Sequence, residues 1–258
     1  MPLLVGTSGW QYRHWRETFY PRGVAQAKWL EYYAARFATV ESNAAFYRLP
    51  EAATFAAWAE RTPDDFVFAV KASRYLTHIL RLTEPDEPVK LLIDRARELG
   101  PKLGPILIQL PPSLRLDIHR LERALDAFPP DVRVAVEFRH DSWFTDEVRR
   151  VLHDHTAALC LADRGGPVTP IWRTADWTYL RFHVGRAKPP GCYGRQALAA
   201  WVGRLSDCWS ADEDAYVYFN NDQRACALRD ARIFALAGRH AGWPATRIPD
   251  AGEVHVAY

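Results

Sequence analysis

The 258-residue chain reads as an α/β protein: a TIM-type (β/α)8 barrel with a parallel closed sheet and one irregular crossover between strands six and seven. Three observations lead there. Short apolar runs alternate with stretches of helical pattern, which is the order of βα units around a parallel sheet. The polar residues in these runs share one alternation parity and gather at C-terminal ends, where an active-site mouth would lie. A length of about 250 residues also suits such a barrel. A doubly wound sheet would instead announce a Gly-rich phosphate turn after an early strand; GTSGW lacks that spacing.

The elements follow in order. Strand one, near 3–8, leads into GWQYRHW, a loop carrying Trp10, Tyr12 and Trp15. A helix near 25–36 precedes strand two, 38–43, whose polar face offers Glu41 and Asn43; AAFYRLP then sets Phe46 and Tyr47 beyond it. A helix near 51–61 leads to strand three, 66–72. There Phe66, Phe68 and Val70 face one way and Val67, Ala69 and Lys71 the other. Arg74, His78 and Arg81 follow before a helix near 87–98 and strand four, 105–110, which supplies Gln109. After a helix near 117–127, strand five, 132–138, separates Val134, Val136 and Phe138 from Ala135, Glu137 and Arg139; His140, Ser142 and Trp143 lie just beyond. A helix near 144–153 reaches strand six, 157–162, with Asp163 at its end. The Gly-, Pro- and Thr-rich stretch 164–176 is too broken for a full helix. Strand seven, 177–183, places Tyr179, Arg181 and His183 opposite Leu180, Phe182 and Val184. A helix near 195–209, strand eight near 215–220 with Tyr218 and Asn220, and a helix near 224–237 complete the set. No linker or low-complexity segment divides the chain, so residues 1–258 read as one domain.

Composition narrows the classes of function. A hydrophobic content of 48% with 25% charged residues suits an ordinary globule with a sizeable core. The formal net charge of +2 gives no support to bulk affinity for nucleic acid or membrane. No apolar run reaches about 18 residues and the start lacks a signal-peptide pattern, so a cytoplasmic location is expected. Cys160, Cys192, Cys208 and Cys226 are scattered without a CxxC pair, which argues against a disulfide framework or structural zinc. Cys160 is expected to act as a small buried hydrophobe.

The polar faces converge on a nearly neutral set: Glu41, Glu137 and Asp163 against Lys71, Arg139 and Arg181, with Asn43, Gln109, His183, Tyr218 and Asn220 among them. Such charges are costly to bury unless they pair or meet a ligand. For any one residue a structural ion pair or a satisfied backbone group is a real alternative. Charges at equivalent places on five strands are harder to explain by stability, because apolar layers fill a barrel at lower cost. Glu137, Asp163, His183 and Lys71 are the candidates for acid–base work, Lys71 also as an imine-forming amine. Trp15 and Phe46 read as packing. Glu41, Glu137, Asp163 and His183 are acceptable ligands for a divalent ion, so a metal is possible, but cations of the same parity oppose one. No cofactor motif, nucleophile elbow, P-loop or HExxH is present.

GTSGWQYRHW, FATVESNAAFYRLP, FVFAVKASRYLTH, ILIQLPPS, VAVEFRHDSW, YLRFHVG and YVYFNND occur in the order found in the YecE-like family, domain-of-unknown-function family 72, which the chain resembles from about residue 3 to 237. The resemblance implies a TIM-type barrel with a polar pocket at its C-terminal mouth and no assigned activity. Its polar motif positions match Glu41, Asn43, Lys71, His78, Gln109, Glu137, Arg139, Trp143, Arg181, His183, Asn220, Asn221 and Asp222; apart from the catalytic candidates Lys71, Glu137 and His183, these make up, with Tyr47 and Tyr218, the expected ligand-binding set. Val184 stands where the family usually has glycine, and Gly185 follows. Expected above all is an enzyme acting on a small anionic or polyhydroxy metabolite. The alternatives are a metal-dependent phosphodiesterase of nucleic acid and a non-catalytic binding or scaffold module. The oligomeric state is not readable from the chain.

Overall fold

A computed structural model describes residues 3–166 and 168–255. Eight parallel strands form one sheet: β1 Leu3–Thr7, β2 Thr39–Ser42, β3 Val67–Lys71, β4 Leu103–Gln109, β5 Val134–Glu137, β6 Ala158–Asp163, β7 Thr178–Phe182 and β8 Ala215–Phe219. The sheet curls into a (β/α)8 barrel in the order β1-β8-β7-β6-β5-β4-β3-β2. Helices α1 Trp29–Ala34, α2 Ala44–Tyr47, α3 Ala52–Glu60, α4 Asp86–Ala96, α5 Ile118–Asp126, α6 Asp146–Asp154, α7 Arg195–Ser206 and α8 Cys226–His240 follow their strands. The link from β6 to β7 has no helix among its described residues; Pro167 within it lies outside them. Each strand lies within two residues of its expected bounds. The four-residue α2, read from sequence as loop, is an addition.

Alternation divides the core in two. Residues such as Val5, Val40, Phe68, Ile108, Val136, Leu180 and Phe219 face outward onto the helices and form the larger cluster. Leu4, Ala69, Leu107, Ala135, Ala158, Cys160, Tyr179, Tyr216 and Tyr218 face inward and fill the barrel.

The ring is weakest between β1 and β2. Among the described residues these strands share no ladder and meet through the single bridge Ser8–Glu41. The Tyr33 hydroxyl, from α1, stands in for the ladder: it accepts from the Thr7 amide at 3.0 Å and donates to the Thr39 carbonyl at 3.1 Å. Close approach here demands glycine, because a Cβ on Gly6 would lie 2.3 Å from the Thr39 carbonyl oxygen.

One cysteine expectation is overturned. Cys192 and Cys226 form a disulfide across a sequence separation of 34, joining the loop before α7 to the first residue of α8. Sequence spacing gave no sign of it because the pair is made by the return of α8 beneath that loop. Cys160 is buried inside the barrel, as expected of a small hydrophobe.

Candidate functional site

The inward positions at the C-terminal strand ends bring Glu41, Lys71, Gln109, Glu137, Arg139, Arg181 and His183 into one cup. Arg181 is its centre. Fully buried at 1% exposure, it donates from Nη2 to Glu41 Oε1 at 2.7 Å and from Nη1 to Glu137 Oε2. The other Glu41 oxygen accepts from the Tyr179 hydroxyl at 2.7 Å. Arg139 Nε touches Glu137 Oε1 at 2.5 Å, an ion-pair contact that lacks hydrogen-bond alignment. His183 Nε2 lies 3.4 Å from the same carboxylate oxygen. Asn220 Nδ2 meets His183 Nδ1 at 3.2 Å, so a donating amide leaves the ring proton on Nε2, facing Glu137.

These contacts set the protonation states. Burial opposes ionisation of Glu137, but Arg181, His183 and Arg139 outweigh it and hold the carboxyl well below the usual range. Burial, with Arg181 and Arg139 beside it, keeps His183 below its ordinary value despite the pull of Glu137. Lys71 differs from every other charge in the cup. Its ammonium lies 3.9 Å over the Phe46 ring and makes no salt bridge or hydrogen bond with a carboxylate among the described residues. Burial, then Arg181, lower its pKa from 10.5 to about 8, with Glu41 and Glu137 resisting. The two buried carboxylates are thus already claimed by arginines, and a cation is left over.

Several sequence expectations are corrected by position. Asp163 is turned out of the cup: the inward residues of β6 are Ala158, Cys160 and, by alternation, Ala162. Its side chain accepts from Trp201 Nε1 of α7 at 2.9 Å and from the Gly165 amide at 3.2 Å. Trp143 is wholly buried, stacked on outward Phe138 at 4.8 Å, and donates to the Leu114 carbonyl. Asn221 bonds Gly191 and Asp230 near the disulfide. Asp222 accepts from Trp15 Nε1 and pairs with His14, both at 2.7 Å, so it anchors the first loop. Tyr218 belongs to the barrel floor, its hydroxyl 2.7 Å from Thr39 Oγ1. Arg181, Glu41 and Glu137 are sealed beneath the surface at 0–1% exposure and are out of a ligand's reach.

Within reach stand Lys71, Arg139, Gln109, His183, Asn220, Asn43, Tyr47 and His78. Arg139 keeps 21% of its side chain exposed, and its Nη2 has only long contacts, 3.5 Å to Gln109 Oε1 and 3.4 Å to His183 Nε2. His78 sits on the π-helical turn Tyr75–Ile79 with its ring 5.2 Å from Phe46. Burial, then Lys71 and nearby arginines, lower its pKa. Sequence reasoning missed Tyr179 and Phe46. Parity puts Tyr179 on the polar face, but its partner Glu41 lies on another strand. Phe46, which reads from sequence as packing, forms the wall against which Lys71 rests.

The four residues suited to a metal do not gather into one ligand set. Glu41 and Glu137 are engaged by Arg181, Asp163 faces α7, and among the described residues no three His, Cys, Asp or Glu side chains form a ligand set. Nor is any described helix long and apolar enough to cross a membrane.

The architecture and site define a TIM-type barrel protein with a charged cup at its C-terminal mouth. The family model described as "Protein of unknown function DUF72" matches residues 4–250, and the chain belongs to that family. It is 26% identical to the UPF0759 protein YecE of Escherichia coli K12 over 251 residues, which covers 87% of this chain and 88% of that one. With the UPF0759 protein YunF of Bacillus subtilis it shares 27% identity over 265 residues, 85% and 89% of the two chains. Among solved structures, a DUF72 protein of Thermotoga maritima superposes with a TM-score of 0.77 at 28% identity, covering 91% of this chain and 98% of that one. A DUF72 protein of Enterococcus faecalis gives 0.76 at 18% identity, covering 92% and 95%; at that identity the likeness concerns the fold alone.

Proposed function

We propose that the protein is an enzyme acting by acid–base chemistry on a small anionic metabolite, a phosphate or carboxylate, at the barrel mouth. One observation carries the reading: Lys71 is a nearly buried cation that makes no salt bridge among the described residues, in a cup whose carboxylates are already paired. An isolated buried ammonium costs stability, so a ligand anion is its natural partner. Arg139, with one edge on Glu137 and Nη2 loosely held, supplies the second contact. With its pKa brought to about 8, Lys71 can both give and take a proton near neutrality. His183, kept neutral, turns its Nε2–H towards Glu137 and takes the Asn220 amide on Nδ1, which fixes the ring beside Arg139.

Thermal unfolding in the presence of inorganic phosphate, sugar phosphates and small dicarboxylates tests this. A ligand at about 100 times its Kd adds about 2.7 kcal/mol of stability. The effect should be present at pH 7, where Lys71 is protonated, and shrink above pH 8 as it deprotonates. Arg139→Ala should abolish it. Indifference to every anion, in wild type and variant alike, would refute the reading.

A further inference from the structure

Beside the charged cup lies a second feature that the anion reading does not use. A cavity of about 200 Å³ opens where the barrel ring is held by one bridge, at the ends of β1 and β2. Its walls are the rings of Trp10, Tyr12, Tyr47 and Trp58, with the amide groups of Gln11 and Asn43 among them. The back is fixed: Trp10 and Trp58 meet edge to face at 5.2 Å, with 5% and 8% exposure. Half-buried Tyr12 is pinned by its hydroxyl, which donates to the Ser8 carbonyl at 2.5 Å. Tyr47 stands at the entrance with 82% of its surface exposed, a large aromatic ring left in water.

Slot and cup share helix α2. Helix α2 sends Phe46 to the Lys71 ammonium and Tyr47 to the slot, so neighbouring residues serve both. Asn43 follows directly on the strand that carries Glu41, and Ser8 is paired in register with Glu41. The Ser8 hydroxyl at this junction is buried without a hydrogen-bond partner. A volume of 200 Å³ falls short of a whole drug-sized ligand, for which about 300 Å³ or more is usual, and suits one ring system of a larger molecule.

We propose that the slot formed by Trp10, Tyr12, Tyr47 and Trp58 receives a flat heterocyclic ring, and that the ligand of this protein is a nucleotide-like molecule whose ring stacks there while its phosphate meets Lys71 and Arg139. The inference rests on the anion-binding reading of the cup and extends it. Aromatic walls accept the faces of a ring, and Asn43 and Gln11 offer both donors and acceptors to its polar edge. An open sugar phosphate would meet the cup and leave the slot unfilled.

The test compares inorganic phosphate, ribose 5-phosphate, adenosine and uridine monophosphates, and the uncharged nucleosides, by calorimetric titration and by quenching of tryptophan fluorescence. Stacking a base on aromatic side chains is worth roughly tenfold or more in affinity. At least one monophosphate should therefore bind about ten times tighter than ribose 5-phosphate, and should quench fluorescence where ribose 5-phosphate does not. Tyr47→Ala, at an exposed position, should erase this advantage, weakening nucleotide binding about tenfold more than it weakens binding of ribose 5-phosphate. Equal affinities for nucleotide and sugar phosphate overturn the slot assignment while the cup reading survives. A Tyr47→Ala variant that keeps the nucleotide advantage overturns it too. Binding of nucleosides that depends on Tyr47, with no response to phosphate, keeps the slot and removes the cup. If no probe binds, both fall.

Discussion

Replacing Lys71 with methionine should make the protein more stable and less able to hold an anion. The folded pKa of about 8 lies below the ordinary lysine value of 10.5. Stability tied to this group is therefore complete above pH 10.5 and is lost as the pH falls towards 8. At neutral pH the shift corresponds to a penalty on the order of 3 kcal/mol, which Lys71→Met removes along with the charge. Denaturation of both proteins from pH 7 to 10.5 should show a gap that narrows with rising pH; a methionine variant less stable throughout would mean that Lys71 is a packing residue. Arg181 has the opposite character. It sits between Glu41 and Glu137 and pairs with both, so its place in the strand-seven motif reflects the architecture of the cup rather than contact with a ligand. Side-chain parity can put Arg181, Lys71 and Glu137 on one face. It cannot say which of them find partners, because partnership depends on distances across the barrel that no single strand contains.

Strands were legible because their two faces differ in kind, and α2 was not, because four residues are too few to show a helical period. Asp163 shows how a true rule was misapplied. It has the polar character and the end position of a mouth residue, but it is one residue out of step with Ala158 and Cys160 and so faces α7. The seam between β1 and β2 was equally hidden, since nothing in either strand announces a missing ladder. Tyr33 makes good that loss, and Tyr33→Phe tests how much the ring depends on it. The Thr7 amide and Thr39 carbonyl would be buried without their partner, at a cost of about 1–3 kcal/mol, read as a lower denaturation midpoint with an unchanged slope. No change in midpoint would show that the bridge at Ser8 closes the ring unaided.

At the scale of the whole molecule, acid should act through the cup. Glu137 has a folded pKa held well below its ordinary 4.5, and His183 one held below 6.5, so both contribute stability that is present above those values. The cup's share of stability should decline as the pH drops through 6.5 and again below 4.5, against the opposite contribution of Asp222 and Asp230, which burial raises to about 6. The test is therefore the gap between wild type and Glu137→Gln, about 3–5 kcal/mol at pH 7, which should narrow below pH 4.5. A gap that stays constant from pH 7 to 3 would contradict the buried ionised state. The barrel as a whole was readable from its alternating runs, and the cup from their shared parity. The disulfide between Cys192 and Cys226 and the aromatic slot were not, since each joins segments that are remote along the chain.

Beneath the polar layer the barrel is plugged by Tyr179, Tyr218, Cys160 and Leu107, all at 0–1% exposure. Water cannot enter from below to quench the surplus positive potential, so its field lines leave chiefly through the open rim. On the anion-binding function proposed above, the plug would work as an insulator behind an electrode, drawing dilute anions towards the mouth before any contact forms, with a pull that fades as salt shortens its range to about 8 Å at physiological ionic strength.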